Sequence, residues 1–244
     1  MQLWAVPGLP EIAPGASLGE LIAARAGLED GDVVAIAQKA LSKAEGRTVL
    51  LADVEPGSRA IELAGSLGED PALIELVLQE TRTIIRSERV LIVETLSGLV
   101  CANAGIDSSN TAAEGTVVLL PRNPDASARR LRTELQEASG ARLAVIVTDS
   151  FGRPWRIGQC EVAIGCAGLH PLDDWRGRAD RDGRELTATE IALADEIAAA
   201  ADLVRDKSSG EPAVIVRGLG TRIDEADGPG AGAMRRAAQD DLFR

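Results

Sequence analysis

Between Thr83 and Ala102 the strand-like segments Thr83–Ile85, Val90–Glu94 and Gly98–Ala102 follow one another with no room for a helix between them. A doubly wound parallel sheet needs a long crossover, usually helical, between successive strands, so this run excludes a pure βαβ repeat. Apolar runs at Val33–Ala37, Leu143–Thr148 and Ala213–Val216 read as further, core strands, with Thr116–Leu120 and Cys160–Ala167 beside them. Helices are predicted at Ser17–Ala26, where Ser17 and Glu20 have capping-box spacing, and at Arg59–Leu67, Pro71–Glu80 and Asp125–Ala138. The alanine-rich run Thr187–Val204 is predicted as the longest helix. The polar run Gln38–Arg47 interrupts the pattern, and the tail from Gly218 reads as a loose loop with a short final helix. Together these predict an α+β fold of mixed sheets with flanking helices, one domain over 1–244 with a subdomain boundary near 121–124.

Composition then narrows the function. The net charge of −12 and the lack of a basic stripe exclude a nucleic-acid binder, and with aromatics at 2% there is no base-stacking platform. No run of about 18 apolar residues is present, so no membrane span is expected. The start MQLWAVPGLPEIAPG lacks a basic, then apolar, secretory leader. Three cysteines (Cys101, Cys160, Cys166) fit a reducing compartment, and the cytoplasm is expected. The single histidine, His170, leaves little for a Ser-His-Asp triad or a His-rich zinc site. Chemistry must rest on carboxylates, lysine, arginine and a hard cation.

Three segments have the residue types for such chemistry. In Cys101–Asn110 (CANAGIDSSN), Asp107 follows a strand with Asn103 and Asn110 on either side, oxygen donors of the kind Mg²⁺ and Mn²⁺ prefer. The same residues are also ordinary turn formers. In Val147–Gln159 (VTDSFGRPWRIGQ), Asp149 and Ser150 stand at the carboxyl end of an apolar strand, and Arg153 and Arg156 can neutralise phosphate. Arginines paired to nearby acids in a structural loop would look similar. In Gln38–Arg47, Lys39 and Lys43 would share a helix face and present point charges to a phosphate, or simply to solvent. The pattern GxxxxGK[ST] is absent, so this is not a P-loop. A fourth stretch, DDWRGRADRDGRE from Asp173, reads as a charged substrate loop, with Asp195 and Glu196 on the wet face of the helix after it. Cys160 and Cys166 flank an apolar strand and read as core packing.

Taken in order, QKALSKAEGR, GLVCANAGIDSSN, VTDSFGRPWRIGQ and DWRGR…DGREL…ADEIAAAADLV…PAVIVRG resemble the coenzyme F420-0:L-glutamate ligase (gamma-glutamyl ligase) family from about Val6 to Gly220. The resemblance implies a gamma-glutamyl-ligase-like fold of two intimately packed subdomains in a homodimer. It implies addition of L-glutamate to a deazaflavin coenzyme precursor, with GTP activating the precursor's carboxylate as an acyl phosphate. It further implies Mg²⁺ or Mn²⁺, with room for two ions and for K⁺. By motif, Asp107, Asp149 and Ser150 match metal ligands, with Ser150 where the family commonly has Thr. Leu9, Pro10, Glu11, Ile12, Gln38, Lys43, Asn110 and Lys207 match nucleotide-binding positions, and Lys43, Asp107, Asp149 and Arg153 would serve catalysis.

The chain departs from the family's pattern in two places. Ser97 replaces a histidine common before GLVCANAG, and Arg205-Asp206-Lys207 replaces a Met-Gly-(Glu/Gln/Lys) pattern. Lys207 cannot ligate a metal while charged, which bears on the ligands of a second ion. A flavin-binding reductase domain, fused to some relatives, is not expected within these residues. The competing readings are a same-mechanism ligase for another acceptor, a metal-dependent phosphohydrolase and a nucleotide-binding regulatory module.

Overall fold

The computed structural model describes residues 1–109, 113–206 and 208–241. In chain order its elements are β1 (Gln2–Ala5), α1 (Leu18–Ala26), β2 (Val33–Ala37), α2 (Gln38–Ala44), β3 (Thr48–Leu50), α3 (Ser58–Leu67), α4 (Pro71–Gln79), β4 (Thr81–Arg86), β5 (Ile92–Thr95), β6 (Val100–Ala102) and β7 (Thr116–Val118). There follow α5 (Pro124–Ser139), β8 (Ala144–Arg153), β9 (Arg156–Ala167), β10 (Asp173–Asp174), β11 (Glu190–Ile191), α6 (Leu193–Asp202) and β12 (Ala213–Arg217). The fold is mixed α+β, several sheets with flanking helices, as the strand spacing requires. Two compact units emerge: Met1–Glu11, Ser17–Ala37 and Pro124–Arg236 form the first, and Ile12–Ala16, Gln38–Asn123 and Ala237–Arg244 the second.

The first unit is built on a five-stranded sheet in the order β1-β12-β2-β8-β9. Only β2 and β8 run parallel; the other neighbours are antiparallel. Val33–Ile36 and Ala144–Val147 are fully buried, which explains why these strands show no polar alternation. Ala194, Ile197, Ala198 and Ala201 of α6 join Ala163, Cys166 and Val214 in one core, while α5 packs on β8 and β9 and α1 packs on α5.

Three expectations change here. Ser17 stands at the N-cap of α1 but makes no side-chain cap. The Gly19 N–H it would reach is taken by Glu134 of α5 at 3.1 Å, a long-range acceptor displacing the local one. The residues after Thr148 are not a loop: β8 continues to Arg153 and pairs with β9 through Ser150↔Glu161 to Arg153↔Arg156. The predicted long helix is only Leu193–Asp202, because Glu190–Ile191 pairs with Asp173–Asp174; α5, with 16 residues, is the longest helix among those described.

A shift in register between Val147↔Gly165 and Thr148↔Ala163 marks a bulge at Ile164 of β9. The Ala163 N–H is met by Asp195 at 2.9 Å. Asp195 therefore does not lie on a wet face; burial raises its pKa above the usual 3.8, against the pull of the Ala163 N–H.

In the second unit α3 and α4 pack Ala60, Leu63, Ile74 and Val77 against Leu91, Val93 and Ala104, beside the antiparallel sheet β4-β5-β6. Asp70 caps α4, accepting from the Ala72 N–H at 2.7 Å. The polar run expected to interrupt the chain is helix α2, with Ala40 and Leu41 buried on its inner side. The pair β3–β7 completes this unit's strands among the described residues.

Arg132 of α5 fixes the far end of the first unit: its buried guanidinium donates to the carbonyls of Leu143, Asp224 and Glu225 and to Asp227. Arg132→Met strands these carbonyls, and urea unfolding is expected to show a loss of about 3 kcal/mol. A loss below about 1 kcal/mol would mean that the Asp224–Asp227 turn holds itself.

Candidate functional site

In the second unit the chain leaves β6 through Asn103, Ala104 and Gly105, all left-handed (φ 48, 53 and 69). Such a run costs an L-residue such as Ala104 about 1–2 kcal/mol, and buried packing of Ala104 offsets it. At Gly105 a Cβ would meet Leu120 Cδ1 at 2.6 Å, so this position requires glycine twice over. The turn delivers Asp107, whose backbone is pinned to Val118 by hydrogen bonds of 3.0 and 2.8 Å.

The Asp107 side chain closes around a cation. Its Oδ2 lies 2.7 Å from Lys39 Nζ, and its Oδ1 accepts the Ser109 N–H at 2.6 Å. Lys39 Nζ also donates to Ser109 Oγ at 2.6 Å and reaches the Ser109 carbonyl at 3.4 Å. Half-burial alone would raise the Asp107 pKa, but Lys39 and Ser109 together bring it below the usual 3.8.

On α2, Lys39 and Lys43 stand one turn apart, as the spacing predicts. Gln38 is 1% exposed; its Oε1 accepts from Ser42 Oγ at 3.0 Å, and its Nε2 makes no hydrogen bond among the described residues. A buried donor left unmet in this way is costly, and a bound ligand would relieve it. Leu9, Pro10 and Glu11 are irregular residues of the first unit, after a turn held by Arg25 Nε to the Gly8 carbonyl at 2.9 Å. Ile12 begins the second unit and is buried. Asn110 and Lys207 lie outside the described residues. Ser97 sits in the β5–β6 turn, its hydroxyl 2.9 Å from that of Thr95.

In the first unit Asp149 and Ser150 are consecutive on β8, so their side chains point to opposite faces of the strand. One ion cannot take both side chains without a break in the strand. Ser150 Oγ donates to Glu161 Oε1 at 2.6 Å, and Glu161 Oε2 stands 2.9 Å from Arg205. Arg153 lies about 10 Å beyond Ser150 along the strand, exposed, donating to the Ile157 carbonyl at 3.1 Å. Within this unit the structure gathers Thr148, Ser150, Glu161 and Arg205, and leaves Arg153 at the hairpin tip with Trp155 (89% exposed) and Ile157 (101%).

Glu161 and the partner of Lys39 are what motif matching passed over. Lys39 reads as a charge for a phosphate with no hint that it will meet Asp107, and Glu161 reads as the polar face of a strand. His170 is exposed and bonded locally to the Leu172 carbonyl at 2.7 Å. Cys166 is fully buried, and burial together with Asp125 pushes its thiol up to about 12, so it serves packing.

Among the described residues no three His, Cys, Asp or Glu side chains gather into a metal cage. The donors around Lys39 are instead a carboxylate, a hydroxyl and a carbonyl oxygen, hard ligands that fit Mg²⁺ or Mn²⁺ retaining water or phosphate oxygens.

Comparison with known proteins places this chain among ligases. Residues 8–218 match the sequence model of the F420-0:Gamma-glutamyl ligase family, and the chain belongs to that family. It is 46% identical over 242 residues to coenzyme F420:L-glutamate ligase of Methanopyrus kandleri, covering 98% of this chain and 96% of that protein. The Methanothermobacter thermautotrophicus protein of the same name is 43% identical over 100% of this chain and 99% of its own length. That of Halobacterium salinarum is 44% identical, with 100% and 96% covered. No helix among the described residues is long and apolar enough to cross a membrane.

The stability that Asp107 contributes is present above its unfolded value near 3.8 and is lost as pH falls through its lowered folded value. Lys39→Met is expected to raise the Asp107 pKa, read by carboxyl-carbon NMR titration. An unmoved value would show that Ser109 alone holds the carboxylate ionised.

Proposed function

We propose that this chain is a GTP- and divalent-metal-dependent ligase that adds L-glutamate to the deazaflavin precursor of coenzyme F420. The observation that carries this reading is the oxygen cradle of Asp107 and Ser109 around the Lys39 ammonium, within a chain related along its whole length to proteins named coenzyme F420:L-glutamate ligase. Lys39 and Lys43 on α2 supply positive charge for the phosphates. The Gln38 amide offers its unmet N–H to the nucleotide. Asp107, Asp149 and Ser150 supply oxygen donors for Mg²⁺ or Mn²⁺, which when bound neutralises charge on the phosphates.

The chemistry needs no protein nucleophile. A carboxylate oxygen of the precursor attacks the γ-phosphorus of GTP, the bond to the bridging oxygen breaks, and GDP leaves. The amine of glutamate then attacks the acyl carbon and gives up a proton, and phosphate departs as the amide forms. What this chain contributes is orientation and fixed charge, which is where phosphoryl and acyl transfers gain most of their rate. The opposite faces of Asp149 and Ser150 favour two ions over one, each ion taking one of these side chains. The exposed apolar side chains of Trp155 and Ile157 at the hairpin tip support the homodimer, since a monomer rarely leaves such side chains open to water.

Mass spectrometry of the glutamate-free precursor with GTP, Mn²⁺ and L-glutamate is expected to show a product heavier by one or more glutamyl units. Asp107→Asn should lower the rate about a hundredfold or more with the fold retained. GTP cleavage with unmodified precursor would instead favour a different acceptor or a phosphohydrolase. Sedimentation should show a dimer that Trp155→Ser with Ile157→Ser converts to monomer; a wild-type monomer would rule the dimer out.

A further inference from the structure

Antiparallel pairing sets Ser150 of β8 opposite Glu161 of β9, and the bulge at Ile164 fixes that register. Facing residues share a side of the hairpin, and Ser150 spends its one proton on Glu161 Oε1 at 2.6 Å. Toward any other group the hydroxyl therefore acts through its oxygen lone pairs.

Glu161 is held in turn by Arg205, which follows α6 in the segment that departs from the family's pattern. The side chains are 5% and 8% exposed, so both charges are out of water. Arg205 meets Glu161 Oε2 at 2.9 Å, Asp202 Oδ1 at 3.5 Å and the Thr148 hydroxyl and Pro212 carbonyl at 3.4 Å. Glu161 Oε2 and Asp202 Oδ1 are sealed from solvent with no hydrogen bond among the described residues, so they meet the guanidinium by charge rather than by aligned donors.

A buried ion pair is a poor source of stability, because desolvating two charges offsets their attraction. Its value lies in what it orients. Three residues from separate elements form a relay, Arg205 to Glu161 to Ser150, that ends on a hydroxyl at the candidate site. Carboxylates that orient a metal-binding side chain in this way change metal affinity without touching the ion.

We infer that Arg205 is a positioning residue: acting through Glu161, it turns the Ser150 proton inward so that the hydroxyl oxygen is presented to a divalent cation. This rests on the proposed reading of Ser150 as a metal ligand. Arg205 touches neither ion nor nucleotide in this scheme, and the charge it brings is spent on Glu161.

The test is Mn²⁺ binding to the full chain, followed by the loss of the free-ion EPR signal, with thermal unfolding as a check of fold. Ser150→Ala and Arg205→Met are each expected to weaken Mn²⁺ binding about tenfold or more, with Arg205→Lys recovering part of the loss. In the Ser150→Ala background, Arg205→Met should cost little further, since its route to the ion is already cut. A purely structural role for Arg205 predicts the same added loss in both backgrounds, and that result would overturn the inference. If Arg205→Met does not fold, Glu161→Asp keeps the charge against Arg205 but withdraws the acceptor from Ser150. It should match Ser150→Ala, and wild-type affinity in it would sink the relay. Wild-type protein that binds no Mn²⁺, or Ser150→Ala that binds it normally, overturns the metal reading itself and the relay with it. Unchanged binding in Arg205→Met beside weakened Ser150→Ala overturns the relay alone.

Discussion

The parallel pairing of β2 with β8 is the constraint on which the first unit depends. Val33–Ile36 and Ala144–Val147 are sealed on both faces, so no polar side chain can enter these strands along their inner length. Ala37 pairs with Thr148 at the end of the sealed stretch, and polar side chains first become possible there. Asp149 and Ser150 occupy that point on β8. The same logic places ligands outside the carboxyl ends of strands in open sheets generally.

Past that point the hairpin passes from half-buried to exposed residues, and backbone pairing and charge hold it. The bulge at Ile164 is a small defect with two consequences. It leaves Ala163 to Asp195, which ties β9 to α6, and it sets the register that brings Glu161 opposite Ser150. Without the extra residue the partner of Ser150 would shift by one position, and Glu161 would turn to the other face.

The buried elements were legible in the sequence because burial writes itself into composition: β2, β12, α3, α4, α5 and the inner half of β8 follow the apolar runs to within a few residues. The elements misread are those held by partners distant in sequence. DSFGR looked like a loop because nothing in its own residues shows pairing with residues 156 to 162. Ser17 lost its cap to Glu134, over a hundred positions away. The alanine-rich stretch promised a longer helix, since propensity alone cannot see that Glu190–Ile191 pairs with Asp173–Asp174. At the site, the sequence singled out Asp107, Asp149, Ser150 and the charge of Lys39, but the pairing of Lys39 with Asp107 and of Glu161 with Ser150 arises only from contacts across the fold.

On the proposed reading, a chain with net charge −12 must concentrate positive charge locally to hold a nucleotide triphosphate while remaining folded. Two basic side chains near the expected ligand positions solve this in different ways. Lys39 is paired at a site still a quarter open to solvent, where the bond to Asp107 is strong enough to place the ammonium but is screened and exchangeable. Arg205 is paired in a dry interior, where separation from Glu161 would leave two bare charges. On the proposed reading the first is a charge that can be handed to a phosphate or displaced by a metal. The second cannot be handed on, and its effect must be transmitted through the geometry of what it holds. Burial thus separates the lysine that can take part in binding from the arginine that can only prepare for it.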